Sequence, residues 1–386
     1  MEDQLSYPYA IEKWHFTLCP KQGVETDWDA LYAVMPWFDD MEATPQSPIF
    51  HEEGNVLIHT KMVVDEILKI LDRKRLHDTA RSILFLSALM HDMAKPETTR
   101  EEGGKIICPG HARVGARKAR AFMYRESIGK VPYSCREQIV KLVKWHGLPL
   151  WSWDNPFPEK NVLRAACHTR MDWLEILAKA DVLGRICADQ KKLLDRLDYY
   201  AEFAKEFKVY GENYQFENPL TRFTFFQKPD SNLFYRPFDD TVCNVTMLCG
   251  LPGAGKDTWI KELGNGLPVV SLDNIRRKLK IAPKDNQGLV IQTAKEEARQ
   301  YLRAKQDFIW NATNLTKQLR QGLVDLFTTY KAWVRIVYLE APYPVLLDRN
   351  RNREHPVPPK VLERFINKLE IPELDEAHEV DYFVDH

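Results

Sequence analysis

GLPGAGKDTW, Gly250 to Trp259, decides how this chain is read. A strand-like run, TVCNVTMLC, leads into it, and a helical pattern leaves it through WIKEL. Strand, Gly-rich turn and helix are the setting in which GxxxxGK followed by Ser or Thr binds phosphate. Gly250, Gly255 and Lys256 fall in place, but the next residue is Asp257, and Thr258 comes one position late. Backbone N–H groups of such a loop (Gly250, Gly253, Ala254 and Gly255 here) and the helix N-terminus cradle a polyphosphate, while Lys256 reaches its outer phosphates. The expected ligand is ATP or another NTP with Mg²⁺. The hydroxyl that normally follows the lysine serves Mg²⁺, and a carboxylate is also a ligand for a hard cation. Asp257 is therefore a candidate metal ligand, with Thr258 left to a phosphate oxygen.

Around the loop, short apolar runs (TVCNVTMLC, PVVSL, DFIWN, WVRIVYLE) alternate with helical segments such as LVIQTAKEEARQYLRAKQ. That alternation predicts a parallel sheet covered by helices. The first half reads differently. Val56 to Leu71 places Leu57, Ile58, Val64, Ile67, Leu68 and Leu71 on one face at helical spacing. Thr79 to Ala94, Trp173 to Ala188 and Lys191 to Phe207 continue the helical pattern, and the apolar ILFLSALM, Ile83 to Met90, reads as buried helix. The predicted organisation is an all-α domain over 1–210, a connector over 211–240 and an α/β P-loop domain over 241–386. The connector is rich in Pro, Asn and aromatics, a composition that suits packing on a surface better than disorder.

A chain of 386 residues accommodates two domains or three, each with its own core. No apolar run approaches the roughly 18 residues that span a bilayer, so no membrane association is expected. MEDQLSYPYA is acidic and polar, unlike a secretory signal. Seven cysteines without CxxC spacing favour a reducing cytoplasm over a disulfide framework. With a net charge of −1, any grip on nucleic acid comes from local basic patches.

Histidine and aspartate carry the chemistry of the first half. His91–Asp92 ends an apolar helix, His59 lies on another, Asp181 sits in AKADVLGR, and His111 and His146 lie between. Imidazole with carboxylate suits Mn, Ni, Co, Fe or Zn, and such a metal can lower the pKa of a water beside a phosphate. Arg113, Arg117, Lys118 and Arg120 can receive phosphates, and a solvated helix face explains them equally well. In the second half, Asp273 follows the second strand with Arg276 about one helical turn on. A carboxylate can accept the proton of an attacking hydroxyl while an arginine fixes a phosphate. WNATN, Trp310 to Asn314, ends the third strand without the acid expected there. Arg349, Arg351 and Arg353 cluster near His355, placed to stabilise charge on transferring oxygens.

The order His59, His91–Asp92, Asp181 resembles the HD superfamily of metal-dependent phosphohydrolases. The resemblance implies these four as core ligands, His111 and His146 as ligands of a second metal with Asp92 bridging, and Lys95 of HDMAK near a substrate phosphate. FHEEGNVLIHT resembles the segment before the first histidine in the HD domain of bacterial tRNA nucleotidyltransferases, which suggests a role for His51. GLPGAGKDTW, SLDNIR, ATN and DRNRNR followed by VP are similar to the P-loop 5′-OH polynucleotide kinases. That implies Asp273 as general base, Arg276 at the phosphate of the acceptor nucleotide, and Arg349 and Arg353 in the lid. Asp257, and Ala312 where relatives carry an acid, depart from that pattern; Asp257 can supply the missing carboxylate.

Together the halves resemble the bacterial HD-Pnk end-healing enzymes of RNA repair over nearly the whole chain. The resemblance implies 5′-OH phosphorylation and removal of 2′- or 3′-phosphate, or opening of a 2′,3′-cyclic phosphate. RNA or DNA ends are the substrates and an RNA ligase the partner. Two alternatives stay open: an HD nucleotidase fused to a small-molecule kinase, and a non-catalytic nucleotide sensor.

Overall fold

Asn55 opens the first long helix, α1 (Val56–Lys74), by accepting the Ile58 N–H on its side chain at 2.9 Å, and Arg75 closes it in the left-handed region at φ 51°. The computed structural model describes residues 11–228, 230–282 and 285–385. The chain divides into two units, one ending at Gln215 and the other starting at Phe216. MEDQLSYPYA lies outside the described residues.

In the first unit α1 is followed by α2 (Asp78–Met90), α3 (His111–Tyr124), α4 (Tyr133–Trp145), the short α5 (Leu148–Trp151), α6 (Met171–Leu183) and α7 (Gln190–Glu206). Every residue of α2 from Thr79 to Met90 is buried, as an element that is apolar all round requires. Helix α1 packs against α2 and α6. Of its expected face Leu57, Val64, Ile67 and Leu71 are buried; Val63 and Ile70 join them, Leu68 is half-buried and Ile58 is 43% exposed. Gly184, just past α6, lies so near α1 that a Cβ there would meet the Val63 side chain and backbone at 2.7 Å. The unit also carries a feature the sequence did not reveal, an antiparallel hairpin of β1 (Arg100–Glu102) and β2 (Lys105–Ile107).

The second unit opens inside the expected connector. Asn218 caps α8 (Pro219–Gln227), which buries Phe223, Phe225 and Phe226. Arg222 donates to the carbonyls of Leu374 at 3.1 Å and His378 at 2.7 Å, so α8 is tied to the same unit as the sheet. That sheet has five parallel strands in the order β4 (Val269–Ser271), β5 (Phe308–Asn311), β3 (Cys243–Cys249), β6 (Ala332–Glu340) and β7 (Glu379–Val384). The edge strand β7 lacks the apolar run by which the other four were legible. Asn311 is level with Leu248 on one side and Ser271 on the other. The carboxyl ends of three strands therefore meet along one edge, where ligands of parallel α/β sheets bind.

All seven cysteines are free. Among the described residues no helix is long and apolar enough to cross a membrane.

Candidate metal centre and phosphate loop

Three helix C-termini converge in the first unit. His91 is the C-cap of α2 and His146 that of α4, while Asp181 lies in the last turn of α6. Carbonyl-rich helix ends favour a cation. His59 comes from the first turn of α1 and His111 from the start of α3. Asp92 stands in the middle: Oδ2 lies 3.2 Å from His91 Nε2 and 3.7 Å from His59 Nε2, and Oδ1 lies 3.4 Å from His111 Nε2 and 4.0 Å from His146 Nε2. His59, His91 and Asp181 form one cluster of potential ligand atoms, and Asp92, His111 and His146 form a second.

The donor set suits divalent metal. Nδ1 of His91, His111 and His146 each lies 2.8 Å from a backbone carbonyl, and that of His59 lies 3.2 Å from Gly184 O and 3.0 Å from Glu53 Oε1. A carbonyl only accepts, so each Nδ1 carries a proton, which leaves Nε2 of each ring turned inward as the atom that can ligate. His59 and His91 then face each other across 3.4 Å, and His111 and His146 across 3.3 Å. Lone pairs opposed at that range need something positive between them. The Asp92 Oδ1 atom is buried without a hydrogen-bond donor, which a cation would also satisfy.

Charge agrees with this geometry. Burial pushes the Asp92 carboxyl up, but His91 and Lys95 outweigh it and hold it well below the usual carboxylate range. Asp181 is held down likewise, burial being outweighed by Arg185 and His59. Burial, then His111 and His91, lower His146 to about 3.

Two partners of this centre were missed from sequence. The side chain of Glu53 is buried and receives both His51 Nδ1 at 2.7 Å and the Ile186 N–H at 2.9 Å, besides His59. Arg185 grips Asp181 at 2.5 Å. Arg185 stands four residues beyond Asp181, within reach of the i,i+4 reading, whereas Glu53 lies before the helix of His59, and no spacing rule joins the two. Lys95 reaches Asp92 at 2.7 Å and Gln46 at 2.6 Å. His51 lines the same cavity as Asp92, Lys95 and Arg185; burial lowers its pKa to about 4, so it faces a ligand as a neutral ring. The basic run of α3 divides. Arg120 is committed to the buried Glu137 at 2.8 Å and Lys118 to Glu97 at 2.5 Å. Arg113 and Arg117 share their helix but lie outside the cavity lining.

In the second unit the loop runs from β3 into α9 (Lys256–Leu263). Gly250 has φ 153°, and a Cβ there would meet Leu339 O at 2.5 Å, so only glycine lets the loop turn against β6. Its N–H donates to Thr313 O at 3.1 Å, and Asn314 fixes Leu248 O at 2.6 Å. The ATN segment thus braces the loop. Lys256 folds back onto the carbonyls of Gly250 at 3.0 Å and Leu251 at 2.9 Å, and burial lowers its pKa to about 8. Exposed Asp257 receives the Asn311 amide at 3.0 Å, and Thr258 beside it is exposed.

Asp273 starts α10 (Leu272–Leu279) and pairs with Arg276, which also donates to Gln287 at 2.8 Å. Helices α11 (Gly288–Arg303) and α12 (Lys317–Thr329) precede α13 (Tyr343–Arg351), whose Arg349 donates to Gly253 O at 3.4 Å. Arg353 follows two residues after the end of α13, and Asp273 lies in the helical turn that follows β4. Gly253, Ala254 and Gly255 complete the backbone of the loop.

Fold and sites together define an HD phosphohydrolase-type helical unit followed by a P-loop kinase-like unit. Residues 56–177 match the family model described as HD domain. Residues 245–372 match the P-loop family described as AAA domain. Among curated relatives, a multifunctional CCA protein of Halorhodospira halophila is 32% identical over 117 residues, 30% of this chain and 25% of that one. A second, of Ralstonia nicotianae, is 30% identical over 128 residues, covering 32% and 26%. The chain thus matches about a quarter of the length of these relatives. A solved sugar kinase of a Janibacter species aligns over 37% of this chain and 85% of its own at 21% identity and a TM-score of 0.30.

Proposed function

We propose that the protein heals broken RNA ends: the second unit phosphorylates a polynucleotide 5′-OH from an NTP, and the first removes a 2′- or 3′-phosphate or opens a 2′,3′-cyclic phosphate. The observation that carries this reading is the acceptor side of the loop. Asp273, in the first turn of α10, leaves 69% of its side chain exposed and pairs with Arg276. A base so placed is reachable by a strand end and is oriented by Arg276. It would accept the proton of the attacking hydroxyl, while Lys256, Arg349 and Arg353 would hold the polyphosphate and Asp257 would hold Mg²⁺.

In the first unit His59, His91, Asp92 and Asp181, with His111 and His146, would hold one or two divalent metals, which supply Lewis acidity to a phosphate oxygen. Lys95 and Arg185 offset negative charge beside the site. Likeness to proteins named multifunctional CCA protein supports an RNA substrate for this unit. A reducing cytoplasm suits seven free cysteines, and an RNA ligase is the expected next actor on the healed ends.

The test is one incubation of the full chain with ATP, a divalent metal and an RNA bearing a 5′-OH and a 3′-phosphate, with both ends mapped. A 5′-phosphate and a free 3′-OH are expected. Phosphorylation of nucleosides in preference to the oligonucleotide would overturn the end-healing reading.

A further inference from the structure

The cavity above the His–Asp centre is larger than a phosphate group needs. It has a volume of about 560 Å³, and Asp92, His111, His146 and Asp181 line it together with Lys95 and Arg185. Cavities of roughly 300–1,000 Å³ enclose whole small molecules, so this one has room for the group that carries the phosphate. Trp145 shares its lining with two more open aromatic side chains, Phe50 and Trp151. They remain 49% and 43% exposed.

Both rings thus stand half open to water beside the charged floor of the cavity. Their positions follow from the ligands. Phe50 immediately precedes His51. Trp151 ends α5, the one-turn helix that begins two residues after His146. The indole is also held: the Arg196 guanidinium lies 5.3 Å from its ring centroid, and Arg196 is itself fixed by Leu150 O at 2.7 Å and Asp154 at 2.9 Å. An indole steadied by a guanidinium is a preorganised stacking surface.

We propose that Phe50 and Trp151 form a nucleobase subsite, so that the His–Asp centre acts on the phosphate of a terminal nucleotide whose base stacks against these rings. The inference rests on reading the centre as a phosphohydrolase and adds its specificity. Because every base has a π-face, the subsite tolerates any sequence at the strand end.

The decisive quantity is the ratio of kcat/KM for adenosine 3′-monophosphate to that for glycerol 2-phosphate, which lacks a base, in the Mn²⁺-loaded full chain. Base–aromatic stacking is worth about 1–3 kcal/mol, so Trp151→Ala should lower the ratio about tenfold, Phe50→Ala should lower it in the same direction, and Trp151→Phe should restore most of it. An unchanged ratio in both alanine variants overturns the subsite while leaving the phosphohydrolase reading intact. If neither compound is hydrolysed, that reading fails, and calorimetric binding of adenosine 3′-monophosphate decides the subsite. A Kd about tenfold weaker in Trp151→Ala supports it, and equal affinity in wild type and both alanine variants overturns it.

Discussion

The side-chain amide of Asn311, at the carboxyl end of β5, donates to Oδ1 of Asp257, the residue after the loop lysine, across 3.0 Å. A carboxylate from the helix start thus faces a strand end that offers only an amide. If Asp257 supplies the oxygen for Mg²⁺, Asp257→Ser should retain kinase activity, since a hydroxyl is the usual occupant. Asp257→Lys should abolish it by placing a cation where the metal binds. Phosphate transfer to a 5′-OH oligonucleotide measures both, and an active lysine variant would sink the assignment.

The two centres are built from separate units and should fail separately. Asp92→Ala should eliminate phosphatase activity and spare the kinase, whereas Lys256→Ala should lower kinase kcat/KM by about 10²- to 10³-fold and spare the phosphatase. Loss of both reactions in either folded variant contradicts independent sites.

Glu53 holds the ring of His59 through Nδ1, at 3.0 Å. Carboxylates behind metal-binding imidazoles typically contribute 10- to 100-fold in metal affinity. Glu53→Gln should therefore weaken Mn²⁺ binding by about that factor in calorimetry, and an unchanged affinity would show that Glu53 serves only the loop it anchors at Ile186.

Gly184 leaves no space for a methyl group against Val63. Gly184→Ala should cost about 1–3 kcal/mol, the usual range for overpacking, seen as a lower denaturant midpoint for the first unit. Wild-type stability in that variant would mean that α1 and α6 separate freely.

His378 lies under the rings of Trp333, 4.7 Å away, and Phe223, 4.1 Å away, and its Nδ1 accepts the Val334 N–H at 3.0 Å. Burial lowers its pKa to about 4 from the ordinary 6.5. Between these values the unfolded chain binds the proton and the folded one does not, so its contribution to stability is complete above pH 6.5 and fades as pH falls toward 4. NMR titration of the imidazole checks this; protonation near pH 6.5 in the folded protein would refute it.

The P-loop unit was legible because its signals are local. GLPGAGK needs its glycines within a few residues, and four strands announce themselves as apolar runs, each buried on both faces. The edge strand β7 escaped because EVDYFV, half-exposed along its length, carries no such run. Helix α8 escaped because nine residues of PLTRFTFFQ are too few to show a helical period.

For the His–Asp centre, residue types and chain order were enough to single out His59, His91, Asp92, His111, His146 and Asp181. Sequence by itself determined which residues can bind metal and phosphate, because donor chemistry belongs to the side chain. Only tertiary structure decided how they meet: three helix ends converge, Nδ1–carbonyl bonds turn four Nε2 atoms inward, and Glu53 and Arg185 lock the outer groups. The same division holds for charge. Nothing in RVGARKAR marks Arg120 out, and it is packing against α4 that commits it to the buried Glu137. Such partnerships join residues distant along the chain, and their geometry comes into being only when the helices cross.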